Sequence, residues 1–244
     1  MRRLLVVAAA LLPAVALARG GGAWKAADPG LAAQPVTMMA VLAALSLLPF
    51  AVMMLTSFSK ITVVLSLARS AMGTQQAPPT VILTALAAVL TAHVMAPVAG
   101  RMVQAGEAAF ARAESGAELL EAARATAEPL REFLLRHASP EERARFADLA
   151  RELRPPSEAA LVADTDLSVV VPAFALTELA EAFHIGFLVF LPFLVLDMLV
   201  ANVLLALGMQ SLSPTQVSLP FKILLFVAVD GWALLAQGLI HGYR

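Results

Sequence analysis

Apolar residues in this chain gather into four long runs, and charged residues gather into one block. The runs cover about Val36–Phe58, Pro79–Val98, Ala182–Leu207 and Ile223–Ile240. The first lies in an uncharged window from Pro29 to Ser59, and His93 is the titratable group of the second. A helix needs about 20 mostly apolar residues to cross the hydrocarbon core, so each run predicts a helix of near-membrane length. Runs one and two share a short connection, as do runs three and four, which predicts two helical hairpins. Pro97 and Pro192 are expected to end or kink their helices.

The polar block, residues 101–166, holds 13 of the 18 acids and 9 of the 17 bases. Glu107 to Arg124 is rich in Ala and Glu, strong helix formers. Glu128-Pro129-Leu130 predicts a fresh helix start, since proline suits the first helical position; Phe133 and Leu134 then face a core. Ser139-Pro140-Glu141-Glu142 predicts another start, with Ser139 as cap and Glu142 closing a capping box. Phe146, Leu149 and Leu153 fall on one apolar stripe, which Arg154-Pro155-Pro156 ends. The expected fold class is all-α: membrane-associated helical hairpins, with four long apolar helices, and a small amphipathic helical extracytoplasmic region.

Arg2 and Arg3, the apolar stretch Leu4–Leu17 and Ala16-Leu17-Ala18 form a secretory signal pattern. The expected organisation is a signal peptide at 1–18, a linker at 19–35, a first apolar hairpin at 36–100, a soluble helical region at 101–166 and a second apolar hairpin at 167–244. The connection between runs one and two carries Lys60 and Arg69 without an acid, and that between three and four carries Lys222. Positive loops stay inside. The block and the C-terminus are therefore expected outside, in the periplasm of a bacterial inner-membrane protein.

Composition narrows the chemistry. The chain is 60% hydrophobic and 14% charged, against about 25% charged in ordinary soluble domains. No basic tract points to nucleic acid. The lack of cysteine removes thiolate catalysis, thiolate metal sites and disulfides. There is no metal-ligand spacing and no phosphate-binding loop, so neither an enzyme nor a cofactor is expected. His93 and His184 are expected to be packing residues. Gln75 and Gln76, in Gly73–Pro79, are neutral hydrogen-bonding groups suited to line a passage or to cap neighbouring helices. Glu178, Glu181, Asp197, Lys222 and Asp230 stand in apolar surroundings, where an ionisable group costs about 2.5–3.5 kcal/mol on insertion scales and needs a partner. Lys222 is expected to pair with Glu178 or Asp197.

Several strings resemble one family: TSFSKITVVLSLARSAMGTQQAPP (56–79), AHVMAPV (92–98), EPLREFLLRH (128–137), IGFLVFLPFLVLDMLVANVLLALGM (185–209) and SLPFKILLFVAVDGW (218–232). They are similar to the FliP/SctR proteins (also YscR or HrcR) of the type III export apparatus, which serves flagella and injectisomes. The signal peptide suits the flagellar branch, and ANVLLALGM with LSP leans to the injectisome branch.

The resemblance implies a pentamer-like homo-oligomer with FliQ/SctS-like and FliR/SctT-like subunits. Together they form the gate through which unfolded proteins are exported, with helices raised towards the periplasmic side. It implies pore lining by Met209, Gln210 and Ser211, where relatives carry consecutive methionines and this chain keeps one. The five charged residues become inter-subunit ion pairs, and Lys60 and Arg69 a basic rim at the cytoplasmic mouth or ordinary positive-inside anchors. The alternative is a proton-coupled small-solute or ion transporter using Asp197 and Asp230.

Overall fold

The computed structural model describes residues 35–74, 77–111 and 116–244. The expected signal peptide, most of the linker, and Gln75 and Gln76 lie outside the described residues. Every regular element among the described residues is a helix: α1 (Pro35–Leu55), α2 (Phe58–Ala71), α3 (Thr80–Phe110), α4 (Gly116–His137), α5 (Pro140–Glu152), α6 (Pro156–Ala159), α7 (Leu167–Ala206), α8 (Pro214–Ala228) and α9 (Gly231–His241). They fall into two compact units, one holding residues 35–56 and 95–130, the other 57–94 and 131–244.

In the first unit, α3 and α4 approach closely at Gly106. A Cβ there would lie 3.2 Å from the Thr126 hydroxyl, which donates back to the Ala122 carbonyl at 2.7 Å. Leu42, Leu47, Phe50 and Met54 of α1 are exposed.

The second unit is built on α2, a helix where the hydrophobic pattern predicts only a connection between two apolar runs. Lys60 and Arg69 lie on this helix. Ile61, Val64, Leu65 and Ala68 recur at helical spacing and are fully buried. Ile61, Val64 and Leu65 pack against Leu83, Ala87 and Leu90 of α3, Ala182 of α7 and Leu239 of α9. Serines, threonines and Lys60 between these positions hid the stripe. Where α2 crosses α7, only glycine fits: a Cβ on Gly186 would stand 2.2 Å from Leu67 Cδ1. A second cluster joins Ala71 and Met72 to Phe193 and Phe226, with Trp232 against it.

Of the two outcomes expected at Pro97 and Pro192, an end or a kink, neither proline ends its helix. Pro97 lies inside α3, Pro129 inside α4, and Pro172 and Pro192 inside α7. Each removes one backbone hydrogen bond, and apolar helices tolerate this where neighbours re-satisfy the freed carbonyl. The fourth run breaks instead at Asp230 (φ 50°, ψ 51°) and Gly231, bending α8 against α9 by 57°. A side chain on Gly231 would enter the Phe226 ring at 2.3 Å.

Ser139 caps α5, accepting from the Glu142 amide at 3.3 Å. The reciprocal half of the capping box is absent: Glu142 Oε1 accepts from Arg145 at 2.8 Å. The Ser139 amide donates to Thr177 Oγ1 of α7 at 3.0 Å instead. Ala147, with Phe146 and Ala150 beside it, packs on Val162 and Val169. Leu149 and Leu153 are 45% and 87% exposed, so the expected stripe turns only partly inward; alanines make the contact.

Among the described residues two helices, α3 and α7, are long and apolar enough to cross a membrane, and up to four spans result if each of two broken pairs counts as one (Pro49–Leu55 with α2, and α8 with α9). Of the four long apolar helices expected, the described residues thus supply two to four candidate spans. At about 1.5 Å per residue, the 40 residues of α7 extend about 60 Å, twice a hydrocarbon core of about 30 Å.

Candidate functional site

Lys60, Glu178, Glu181, Asp197 and Lys222 assemble into two sites, both in the second unit. The first centres on Lys60, with its ammonium 3.0 Å from Glu178 Oε1 and 2.6 Å from Glu181 Oε2. Lys60 and Glu178 are almost wholly buried, while the Glu181 side chain is 54% exposed. Glu178 and Glu181 are three residues apart on α7, so both reach one cation. Tyr243 adds a further layer: its hydroxyl donates to Glu178 Oε2, and its ring lies 4.4 Å from the Lys60 ammonium, a cation–π contact. Phe133 stacks on that ring at 6.0 Å and His137 meets it at 5.1 Å.

Burial, and then the Glu178 charge, push the Tyr243 hydroxyl well above its ordinary pKa, so it remains a donor. Burial lowers the His137 pKa, and the positive charges of Lys60 and Arg136 lower it further.

The second site joins α2, α7 and α8. Lys222 donates to Asp197 Oδ2 at 2.6 Å and to the Ala71 carbonyl at 3.4 Å. Ser218, one turn before Lys222, donates to Asp197 Oδ1 at 2.5 Å. Of the two acids expected for Lys222, the structure supplies Asp197; Glu178 belongs to Lys60. These pairs close within one chain. Asp230 is exposed and joins no ion pair among the described residues; its left-handed backbone makes the α8–α9 break.

Beyond the second site the α7–α8 hairpin continues for about 11 residues, or about 16 Å, to an exposed tip. Gly208 (φ 74°) closes α7. Its amide donates to Leu205 and that of Met209 to Leu204, at 3.0 and 2.9 Å, which is a Schellman ending. Leu207 to Ser213 are all exposed, Met209, Gln210 and Ser211 among them. Arg69 donates to the Pro78 carbonyl and Thr80 Oγ1, pinning the turn before α3. His93 and His184 are exposed.

Residues 41–239 match the FliP family. The chain belongs to the FliP family. It is 45% identical to the hypersensitivity response secretion protein HrcR of Ralstonia nicotianae, over 85% of this chain and 97% of that relative. It is 42% identical to the flagellar biosynthetic protein FliP of Caulobacter vibrioides, over 99% of this chain and 89% of the relative. It is also 42% identical to the Yop proteins translocation protein R of Yersinia pestis, over 85% and 96% respectively. The stretch matching the FliP family takes in both charged sites and the hairpin tip; Tyr243 falls just beyond it.

Sequence reasoning missed Tyr243, His137 and Ser218. Ser218 carried a usable signal, since it precedes Lys222 by four residues and shares its helix face. Tyr243 is the chain's single tyrosine, and nothing in its spacing ties it to Glu178.

Proposed function

We propose that this chain is a core subunit of the export gate of a type III protein secretion apparatus. With further copies of itself and FliQ/SctS-like and FliR/SctT-like subunits, it forms the channel through which unfolded proteins leave the cytoplasm. Membership of the FliP family carries this reading. Relatives named for flagellar biosynthesis, Yop translocation and hypersensitivity-response secretion align along most of their lengths. The helices are consistent with it. Charge is neutralised inside the second unit, while Phe183, Phe187, Leu191, Met198 and Val203 of α7 are exposed. Such a surface calls for lipid or other subunits.

The role is mechanical, with neither catalysis nor a cofactor. Met209 at the hairpin tip seals the channel, since its side chain is flexible and polarizable, and Gln210 and Ser211 flank it on the passage. Glu178, Glu181, Asp197, Lys222 and Asp230 remain our candidates for contacts between copies. Glu181 and Asp230 are the exposed members. Lys60, Glu178, Lys222 and Asp197 act by fixing the helices that present them. Arg69, in the connection that also carries Gln75 and Gln76, marks the cytoplasmic end of the passage, whereas Lys60, buried on Glu178 under the Tyr243 ring, lies with the C-terminal residues and not at that mouth. The protein sits in the bacterial inner membrane with residues 101–166 and the C-terminus on the periplasmic side. That placement is in keeping with Arg136 of α4 donating to the Arg244 carbonyl at 3.2 Å.

The test is complementation. In strains deleted for the corresponding subunit, restored motility assigns the chain to a flagellar apparatus and restored effector secretion to an injectisome. Failure of both, with the chain stable and not co-purifying with the two small-subunit classes, overturns the proposal.

A further inference from the structure

Both oxygens of the Asp197 carboxylate are held by α8. Lys222 donates to Oδ2 at 2.6 Å, and Ser218 donates to Oδ1 at 2.5 Å from one turn earlier on the same face. The two donors differ in reach. Lysine carries its ammonium on a flexible four-carbon stem, so its bond survives a range of separations between the helices. The serine hydroxyl sits on a single carbon, and Ser218 is fully buried, so its bond holds over a narrow range of separations. Lys222 supplies charge to the pair, and Ser218 supplies distance.

A serine hydroxyl has one proton to donate, and two acceptors surround this one. Asp197 takes it at 2.5 Å, while the Thr215 carbonyl of the same helix lies 3.2 Å away. If α8 moves off α7, the proton turns to Thr215, and no buried donor is left without a partner. The Asp197 side chain is 26% exposed, so water replaces the hydroxyl at Oδ1. The hairpin therefore has two hydrogen-bonded arrangements at this point, with Lys222 on Asp197 in both.

We propose that Ser218 is the positioning residue of the channel seal, a role that rests on Met209 being that seal. Its hydroxyl on Asp197 sets the spacing of α7 and α8, and it passes to the Thr215 carbonyl when the hairpin opens. The tip lies about 16 Å beyond Asp197, so a tilt of about 10° at the clamp moves Met209 by about 3 Å.

The test is small-ion leakage through the complete gate in liposomes, read beside thermal unfolding and co-purification with the partner subunits. Ser218→Ala should assemble and raise leakage about tenfold, the bias that one hydrogen bond to a charged acceptor sets between two positions. Thr177→Val removes another single hydrogen bond, from the Ser139 amide, about 45 Å from the tip along α7, and should not leak. Ser218→Ala combined with Met209→Ala should leak no more than the leakier single variant, because the serine acts through the methionine. Thr177→Val leaking as much as Ser218→Ala would show general loosening and overturn the clamp. Multiplied leakage in the double variant, or loss of co-purification in Ser218→Ala, would overturn it too. Silence of Ser218→Ala beside a leaking Met209→Ala overturns the clamp alone; silence of both overturns the seal reading with it.

Discussion

Lys222 binds Asp197 at 2.6 Å across the α7–α8 hairpin and reaches the Ala71 carbonyl at the end of α2. One ammonium therefore joins three helices about 16 Å below the hairpin tip. The lysine is almost wholly buried and the Asp197 side chain only 26% exposed, so removing one member leaves the other charge poorly compensated. Lys222→Ala should destabilise the chain by about 3–5 kcal/mol and reduce assembly with partner subunits. Lys222→Met combined with Asp197→Leu should be milder than either single change, because no lone charge remains. Thermal unfolding in detergent of the four proteins checks this; additive losses would show that the two side chains do not act as a pair.

The crossing of α2 and α7 depends on an absent side chain. Gly186→Ala would drive a methyl group into Leu67, with contacts of 2.2 Å to Cδ1 and 3.1 Å to Cβ. Overpacking of this kind costs about 1–3 kcal/mol. The double variant Gly186→Ala/Leu67→Ala should recover part of the loss, because the obstructing atoms are removed. Denaturation midpoints of the three variants test the contact, and a double variant no better than Gly186→Ala alone would refute it.

Much of this arrangement was legible from the chain. Long apolar runs marked α3 and α7 as helices, and Ser139-Pro140 marked the start of α5. Isolated charges in apolar segments marked both sites, since an ionisable group in such surroundings needs a partner. The rest depended on distances that spacing does not encode. Helix α2 carries Ser59, Lys60, Thr62 and Ser66 among its buried apolar residues, so it looked like a polar connection. Its lysine is polar towards partners on α7, more than 110 residues away. Tyr243 joins that site through tertiary packing alone.

Docking of α5 on α7 rests on a backbone amide meeting a side chain, Ser139 N–H to Thr177 Oγ1 at 3.0 Å. Thr177→Val keeps the shape and removes the acceptor. A loss of about 1 kcal/mol is expected, with faster amide exchange concentrated at the start of α5. Hydrogen exchange by mass spectrometry resolves this, and exchange that rises evenly along the chain would count against the specific contact.

At the hairpin tip, backbone geometry and seal chemistry make separable demands. Gly208 holds φ 74° and has open space around it, so Gly208→Ala should cost about 1 kcal/mol through backbone strain alone. It should also disturb the turn that aims Met209. Met209→Ala leaves the Schellman hydrogen bonds in place, because they are made by amides, and removes only the flexible thioether. In an assembled gate reconstituted into liposomes, Met209→Ala should therefore raise leakage of small ions with stability unchanged. Gly208→Ala should raise leakage and lower stability together. Equal leakage from wild type and Met209→Ala would mean that this methionine takes no part in the seal, and the constriction would then have to be sought among Gln210, Ser211 and the other subunits.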